Sequence, residues 1–348
     1  MSVAFRVDAS ARIGGGHFAR CLTLASALCA RGCAARFLCR DLPPSLRAEA
    51  RAAGVAVDAL SVPDGAWDTD ARESAAALAA GGASSALVVD HYGLDARWER
   101  VMRAAAGKIM VIDDLDDRPH DCDLLLDLGA VTERARLPAV AGSPATRTLT
   151  GPDFALLRAE FAAARRASGP RLKGVSRILA AFGGSDPTGE TEKAIAAIRA
   201  LRRADIYADI VVGSMNPRRQ AIESLCAEQP RLAFHADPGN LAELMSRADL
   251  GVGAAGGTAW ERCCLFLPSV ITAVAANQNA IAEGIAGRGA AVNLGWHEGV
   301  GVATLREALQ ALIAAPERVA DLSRRAGELV DGDGVRRVLS AMEEAKCI

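Results

Sequence analysis

The chain opens with a short alternation of apolar and polar positions, Val3 to Asp8, that predicts a strand. Gly14-Gly15-Gly16 follows as a tight turn, and then Phe18, Cys21, Leu22, Ala25, Leu28 and Cys29 recur at helical spacing, giving strand, glycine turn and helix. Short apolar runs at Ala35 to Leu38, Ser85 to Val89 and Ile109 to Ile112 alternate with stretches rich in Ala, Arg and Glu, as βαβ units of a parallel sheet require. The pattern breaks at Arg165 to Gly174, where charge, Gly169 and Pro170 predict a linker. Beyond it the opening unit returns, with Ile178 to Phe182 as a strand, Gly183-Gly184-Ser185-Asp186-Pro187 as a glycine turn and Glu190 to Arg202 as a helix. Ile210 to Val212, Leu250 to Val252 and Ser269 to Ala273 continue as strands, Leu241 to Arg247 as a helix, and the tail from Pro316 to Ala345 as helix interrupted at Gly332-Asp333-Gly334. The expected fold class is α/β: two Rossmann-like doubly wound domains facing one cleft, with residues 1–164 as the first, 165–174 as linker and 175–348 as the second. In such sheets ligands sit at the carboxyl ends of the strands.

Composition narrows the function classes. The 348 residues correspond to about two domains at roughly 150 residues each. Lys plus Arg total 40 against 42 Asp plus Glu, a net charge of −2, which argues against the broad positive field needed for nucleic acid or an anionic membrane. At 4% aromatic residues, base-stacking platforms are not expected either. Nine cysteines are an odd number for a disulfide framework, and Arg6 and Asp8 fall where a secretory leader needs an apolar run, so the expectation is a cytoplasmic protein with reduced thiols. The longest apolar stretch, Leu265 to Ala276, contains Pro268 and is shorter than the ~18 residues of a spanning helix. Cys29-x3-Cys33 lacks a second ligand pair at zinc spacing and reads as buried small side chains. Oligomeric state is left open.

Several motifs carry candidate chemistry, each with a plainer alternative. Gly14-x-Gly16-x-x-Ala19, with Asp41 after the next strand, satisfies a relaxed dinucleotide fingerprint, although His17 places a ring where a pyrophosphate needs close backbone approach. Alternatively the glycines expose His17 itself at the start of a helix, where the positive end disfavours the imidazolium and leaves a neutral ring able to take a proton. A structural hydrogen-bonding role is the bland reading. Asp8 and Asp90-His91-Tyr92 end two strands and are expected at the same rim, strand termination and capping being the simpler account of Asp90 and His91. Tyr92 offers an apolar face with a polar tip, which suits a sugar ring. Asp113-Asp114-Leu115-Asp116-Asp117 has oxygens for a divalent cation but reads better as a solvated turn, and His120-Asp121-Cys122-Asp123 as a loop. In the second half, Gly256-Gly257-Thr258 opens a helix after a strand, so backbone amides and the helix end can approach a diphosphate. Glu261 is placed to accept from both hydroxyls of a ribose, or simply to complement the helix dipole, and Asn277-Gln278-Asn279 adds amides at a further strand end.

In order along the chain, Gly16-His17-Phe18-Ala19-Arg20-Cys21-Leu22-Thr23-Leu24-Ala25, Asp90-His91-Tyr92-Gly93, Ile112-Asp113-Asp114, Gly151-Pro152-Asp153-Phe154-Ala155-Leu156-Leu157-Arg158-Ala159-Glu160-Phe161, Phe182-Gly183-Gly184-Ser185-Asp186-Pro187, Trp260-Glu261-Arg262-Cys263-Cys264 and Asn277-Gln278 resemble the UDP-2,4-diacetamido-2,4,6-trideoxy-β-L-altropyranose hydrolase family of pseudaminic acid synthesis. The resemblance runs from about residue 3 to 296. It implies a GT-B-like fold, related to the glycosyltransferase that adds N-acetylglucosamine in peptidoglycan synthesis, and a UDP-sugar substrate. It further implies that His17 activates the water that attacks the anomeric carbon, that Asp8 and Tyr92 lie near the sugar, that Glu261 binds the ribose and that Asn277 and Gln278 lie near the nucleotide-sugar. Backbone around Gly15, Gly16, Gly184, Gly256, Gly257 and Thr258 completes the substrate contacts, with Arg12 as a phosphate or sugar contact and with no metal or other cofactor. Relatives commonly carry Gly-Gly-Ser-Thr-Ser before Trp-Glu-Arg, whereas this chain reads Gly256-Gly257-Thr258-Ala259 and has one hydroxyl where that pattern has three. The rivals are a GT-B glycosyltransferase with a sugar acceptor in place of water, a nucleotide-sugar-binding protein without turnover, and a nicotinamide enzyme.

Overall fold

The computed structural model describes residues 1–81, 84–129 and 146–348. Two compact units form: Met1–Leu156 with Asp333–Ile348, and Leu157–Gly332. The first holds seven parallel strands among the described residues, β1 (Ser2–Val7), β2 (Ala34–Cys39), β3 (Ala56–Ala59), β4 (Ala86–Asp90), β5 (Ile109–Ile112), β6 (Leu124–Asp127) and β7 (Arg147–Thr150), in the order β3-β2-β1-β4-β5-β6-β7. The second holds six, β8 (Arg177–Ala181), β9 (Tyr207–Val212), β10 (Leu232–Ala236), β11 (Leu250–Ala254), β12 (Ser269–Ala273) and β13 (Ala291–Trp296), in the order β10-β9-β8-β11-β12-β13. These are also all parallel. Both sheets reverse their winding direction once, between β1 and β4 and between β8 and β11, and it is at such reversals that the loops leaving the strand ends diverge and open a crevice.

The apolar runs are buried on both faces, as parallel strands between helices must be. In β1, Val3, Phe5 and Val7 join a cluster with Phe18, Leu24 and Leu28 of the helix Gly16–Ala30, whereas Ala4 joins Leu38, Leu87 and Trp98 on the other face. The second unit packs Ile178, Ala180, Ile210 and Val252 against Leu305, Leu309 and Val319 from helices near its end.

Two expectations about organisation are revised. The stretch 165–174 lies within the second unit and is no hinge: Arg171 donates from Nε to the Ala248 carbonyl at 2.9 Å and from Nη2 to those of Met245 and Ser246 at 3.1 Å. A basic side chain satisfying the last carbonyls of the helix Leu241–Arg247 explains why a charged, Pro-containing segment packs down. The chain instead leaves the first unit after Leu156 and returns at Asp333. The predicted break at Gly332-Asp333-Gly334 separates the helices Pro316–Leu329 and Gly334–Glu344, and the latter packs Val338, Leu339 and Met342 into the first unit's core. Met342→Ala is therefore expected to lower the stability of the first unit by about 2–5 kcal/mol, measured by denaturant unfolding, and to leave the second unit's transition in place. An unshifted first transition would contradict that packing.

Candidate active site

At the β1/β4 reversal, each strand ends in an aspartate that is bound by a histidine following the other strand. Asp8, directly after β1, is 3.3 Å from Nε2 of His91, while Asp90, the last residue of β4, is 2.5 Å from Nδ1 of His17. The parallel register that aligns Val7 with Asp90 makes this exchange possible. Asp8 is fully buried, with both oxygens on the Arg6 guanidinium at 2.8 and 3.0 Å and the amides of Arg40 and Asp41 donating to Oδ1. Burial alone would raise its carboxyl, but the hydrogen bond to His91 and the charge of Arg6 hold it well below the usual range. Arg6 itself is clamped from its other side by Asp70, which also accepts from Trp98 and Ser74.

Asp90 likewise stays ionised against burial, because Arg20 and His17 lie on its two oxygens. Arg20 donates from Nε and Nη2 at 2.6 and 2.7 Å, and its Nη1 reaches Asp114 at 2.5 Å. Tyr92 donates to the same Asp114 oxygen at 3.1 Å and stands edge-on to the His17 ring, centroids 4.5 Å apart. In the tautomer that carries its proton on Nδ1, toward Asp90, His17 keeps Nε2 as an acceptor, the arrangement by which a carboxylate orients a histidine. Gly14 has φ +83°, a left-handed conformation that favours glycine, and the helix Gly16–Ala30 opens at Gly15 without a side-chain cap. Arg12, in the same loop, is solvent-exposed and paired with Asp64 at 2.9 Å, so nothing ties it to His17 or Tyr92. The acidic turn is engaged too, with Arg118 on Asp113 at 2.8 Å.

In the second unit, three sequence-predicted features gather at the ends of β8, β11 and β12. The helix Gly257–Cys264 begins at Gly256 without a side-chain cap, and Gln278 bridges to it: its Oε1 accepts from the Val274 amide at 3.1 Å, while a Cβ on Gly256 would lie 3.3 Å from its Nε2. Asn277 stands beside it in the short 3-10 turn Ala276–Gln278. Glu261 accepts from Arg158 through Oε1 at 3.3 Å, and its buried Oε2 has no partner among the described residues. Burial pushes the Glu261 carboxyl up, partly offset by Arg158. The Gly183–Pro187 turn differs in kind, because Asp186 accepts from the amides of Glu190 and Thr191 at 2.9 Å and closes that helix end. Gly184 there packs its backbone against Gly213, where a Cβ would be 2.4 Å from the Gly184 Cα, while a Cβ on Gly184 itself would lie 3.0 Å from the Met215 side chain.

No protein-family model matches the chain. It is 31% identical over 206 residues to the spore coat polysaccharide biosynthesis protein SpsG of Bacillus subtilis, covering 57% of this chain and 59% of that one, so the match spans about three fifths of that relative. It is 25% identical over 250 residues to UDP-2,4-diacetamido-2,4,6-trideoxy-beta-L-altropyranose hydrolase of Campylobacter jejuni, covering 72% of this chain and 83% of the other. Among solved structures, MurG of Acinetobacter baumannii superposes with a TM-score of 0.68 at 14% identity, covering 99% of this chain and 100% of that one. UGT2 of Phytolacca americana, complexed with UDP-2fluoro-glucose and pterostilbene, also gives 0.68 at 12% identity, over 100% of both chains. The fold is that of the GT-B glycosyltransferases. The chain is at the same time a distant homologue of the Campylobacter hydrolase. No described helix is long and apolar enough to cross a membrane.

Arg20 and Arg158 were given no role of their own from sequence, and Asp114, read there as part of a solvated turn, is buried and bound by Arg20. Arg20 lies three residues after His17 on one helix face, a spacing that could have paired them. His120, read as a loop residue, is instead buried, with Nδ1 2.7 Å from Glu99 and Nε2 3.7 Å from Asp113. Burial lowers its proton affinity, but the neighbouring Asp113 carboxylate and the hydrogen bond to Glu99 outweigh this and raise it above the ordinary histidine value. Its contribution to stability is then fully present below the unfolded value of about 6.5 and is lost as pH rises through the higher folded one. His120→Gln should therefore cost more stability at pH 6 than at pH 9 in urea denaturation. An equal cost at both would remove the charged ring from the account.

Proposed function

We propose that this protein hydrolyses a UDP-linked 2,4-diacetamido-2,4,6-trideoxy sugar, releasing UDP and the free altrose derivative. The observation that carries the reading is the His17–Asp90 pair at an uncapped glycine turn, on a strand end where this fold places ligands. The homology to the Campylobacter hydrolase, which extends over most of that protein, supports water as the acceptor. In the proposed step Nε2 of His17 takes a proton from water as its oxygen bonds to the anomeric carbon. The bond from that carbon to the β-phosphate oxygen breaks, its electron pair leaves with UDP, and the configuration inverts. Asp90 holds the ring and stabilises the imidazolium that forms, and Tyr92 gives the sugar an aromatic face. The open helix end at Gly256, Gly257 and Thr258 meets the diphosphate, and the unpartnered Oε2 of Glu261 accepts from a ribose hydroxyl. Asn277 and Gln278 face the nucleotide-sugar from the next strand end, and Asp8 braces the loop through His91.

His17→Asn should lower turnover about 10²–10⁴-fold while UDP affinity changes little. The decisive measurement is mass analysis of products formed in heavy-oxygen water without any acceptor, where label in the free sugar is expected. UDP release that requires an added acceptor would make the protein a glycosyltransferase, and turnover retained within a few-fold in the variant would remove His17 as the base.

A further inference from the structure

Arg262 follows Glu261 and is 1% exposed, yet no carboxylate pairs with it and its Nε has no hydrogen-bond partner among the described residues. Its stem lies along β11, for a Cβ on Gly251 would come 2.8 Å from its Cδ and one on Gly253 2.7 Å from Nη1. Gly251 and Gly253 thus leave room for this side chain toward the carboxyl end of the strand, as they also do for Ser269 and the Ala181 carbonyl, at 2.7 and 2.3 Å from the same Cβ positions. At that end Nη2 donates to the Ala254 carbonyl at 2.7 Å and Nη1 to Oγ1 of Thr258 at 3.2 Å. The two acceptors flank the turn between them, Ala254 as the last residue of β11 and Thr258 in the first turn of the uncapped helix Gly257–Cys264. Burial draws the guanidinium down to about 10, which still leaves it charged at neutral pH. A buried charge without a counter-ion is among the least favourable arrangements a core can hold, and an apolar side chain would fill the same space without that penalty.

We propose that Arg262 is a positioning residue for the diphosphate and that the substrate supplies its missing counter-ion. The guanidinium sets a full positive charge directly behind the helix end. Because it donates to a lone pair of Thr258 Oγ1, it also turns the hydroxyl hydrogen away from itself, making Thr258 a donor toward an anion at that end. The inference rests on the nucleotide-sugar reading and adds to it a residue that never touches the phosphates.

The test is titration of wild type, Arg262→Met, Arg262→Lys and Thr258→Val with UDP and with uridine at one ionic strength, folding being checked by circular dichroism. In Arg262→Met, UDP affinity should fall tenfold or more and uridine affinity stay within about twofold, so the preference for the phosphorylated ligand collapses. Arg262→Lys should fall between, and Thr258→Val should lose about threefold for UDP alone. A merely structural Arg262 would weaken both ligands together or neither, and an unchanged UDP-to-uridine ratio in Arg262→Met overturns the proposal. If that variant does not fold, an unchanged ratio in Thr258→Val does so instead. Wild type that binds no UDP would overturn the nucleotide-sugar reading, whereas wild-type binding with unchanged ratios in the variants overturns only this inference.

Discussion

The first unit's site depends on a single carboxylate having more partners than a surface aspartate could keep. Asp90 ends a strand buried on both faces, and it stays charged because Arg20 covers both of its oxygens and His17 one of them. Its own ionisation then dictates the orientation of the histidine. Arg20 in turn needs Asp114, and Asp114 holds the Tyr92 hydroxyl, so the ring that faces His17 and the carboxylate that steers it are fixed by one guanidinium. In water such ion pairs contribute little, but in a buried network the loss of one member strands the others.

The exchange of partners between β1 and β4 makes the geometry stiffer than two separate pairs would. His91 is fixed from both sides, its Nδ1 accepting from the Gly93 amide at 3.1 Å and its Nε2 directed at Asp8, so it is a brace with no free nitrogen for proton transfer. His17 has one nitrogen committed to Asp90 and the other turned away. Two histidines in similar surroundings thereby take different parts, decided by what the second ring nitrogen meets.

Much of this was legible in the amino-acid order. Aliphatic runs such as Leu87, Val88 and Val89 in β4, or Ile109 to Ile112 in β5, are strands because both faces are buried, and a run without charge can be little else at that length. The short edge strands β3 and β10 were not legible: Ala56–Ala59 and Leu232–Ala236 carry polar or weakly apolar residues, and their pairing with β2 and β9 comes from tertiary context. The glycine turns were read correctly as turns, but whether such a turn is open to an anion depends on one nearby side chain, Asp186 in one case and none in the other, which spacing does not report. Arg171 misled for a related reason. Charge beside Gly and Pro suggests a solvated connector, yet a guanidinium can direct its donors to the carbonyls of a helix end. Buried ion pairs such as Arg6 with Asp70 join residues too far apart in sequence for any local pattern to link them.

The return of the final helix to the first unit has a consequence for how the molecule comes into being. The core that Met1–Leu156 builds also takes in Val338, Leu339, Met342 and Cys347, which are synthesised only after the whole of the second unit. Domains commonly fold in the order of their synthesis, but here the first unit's core is complete only after Leu157–Gly332 has been made. The intervening unit is contiguous from Leu157 to Gly332, whereas the first unit draws its core from both sides of it.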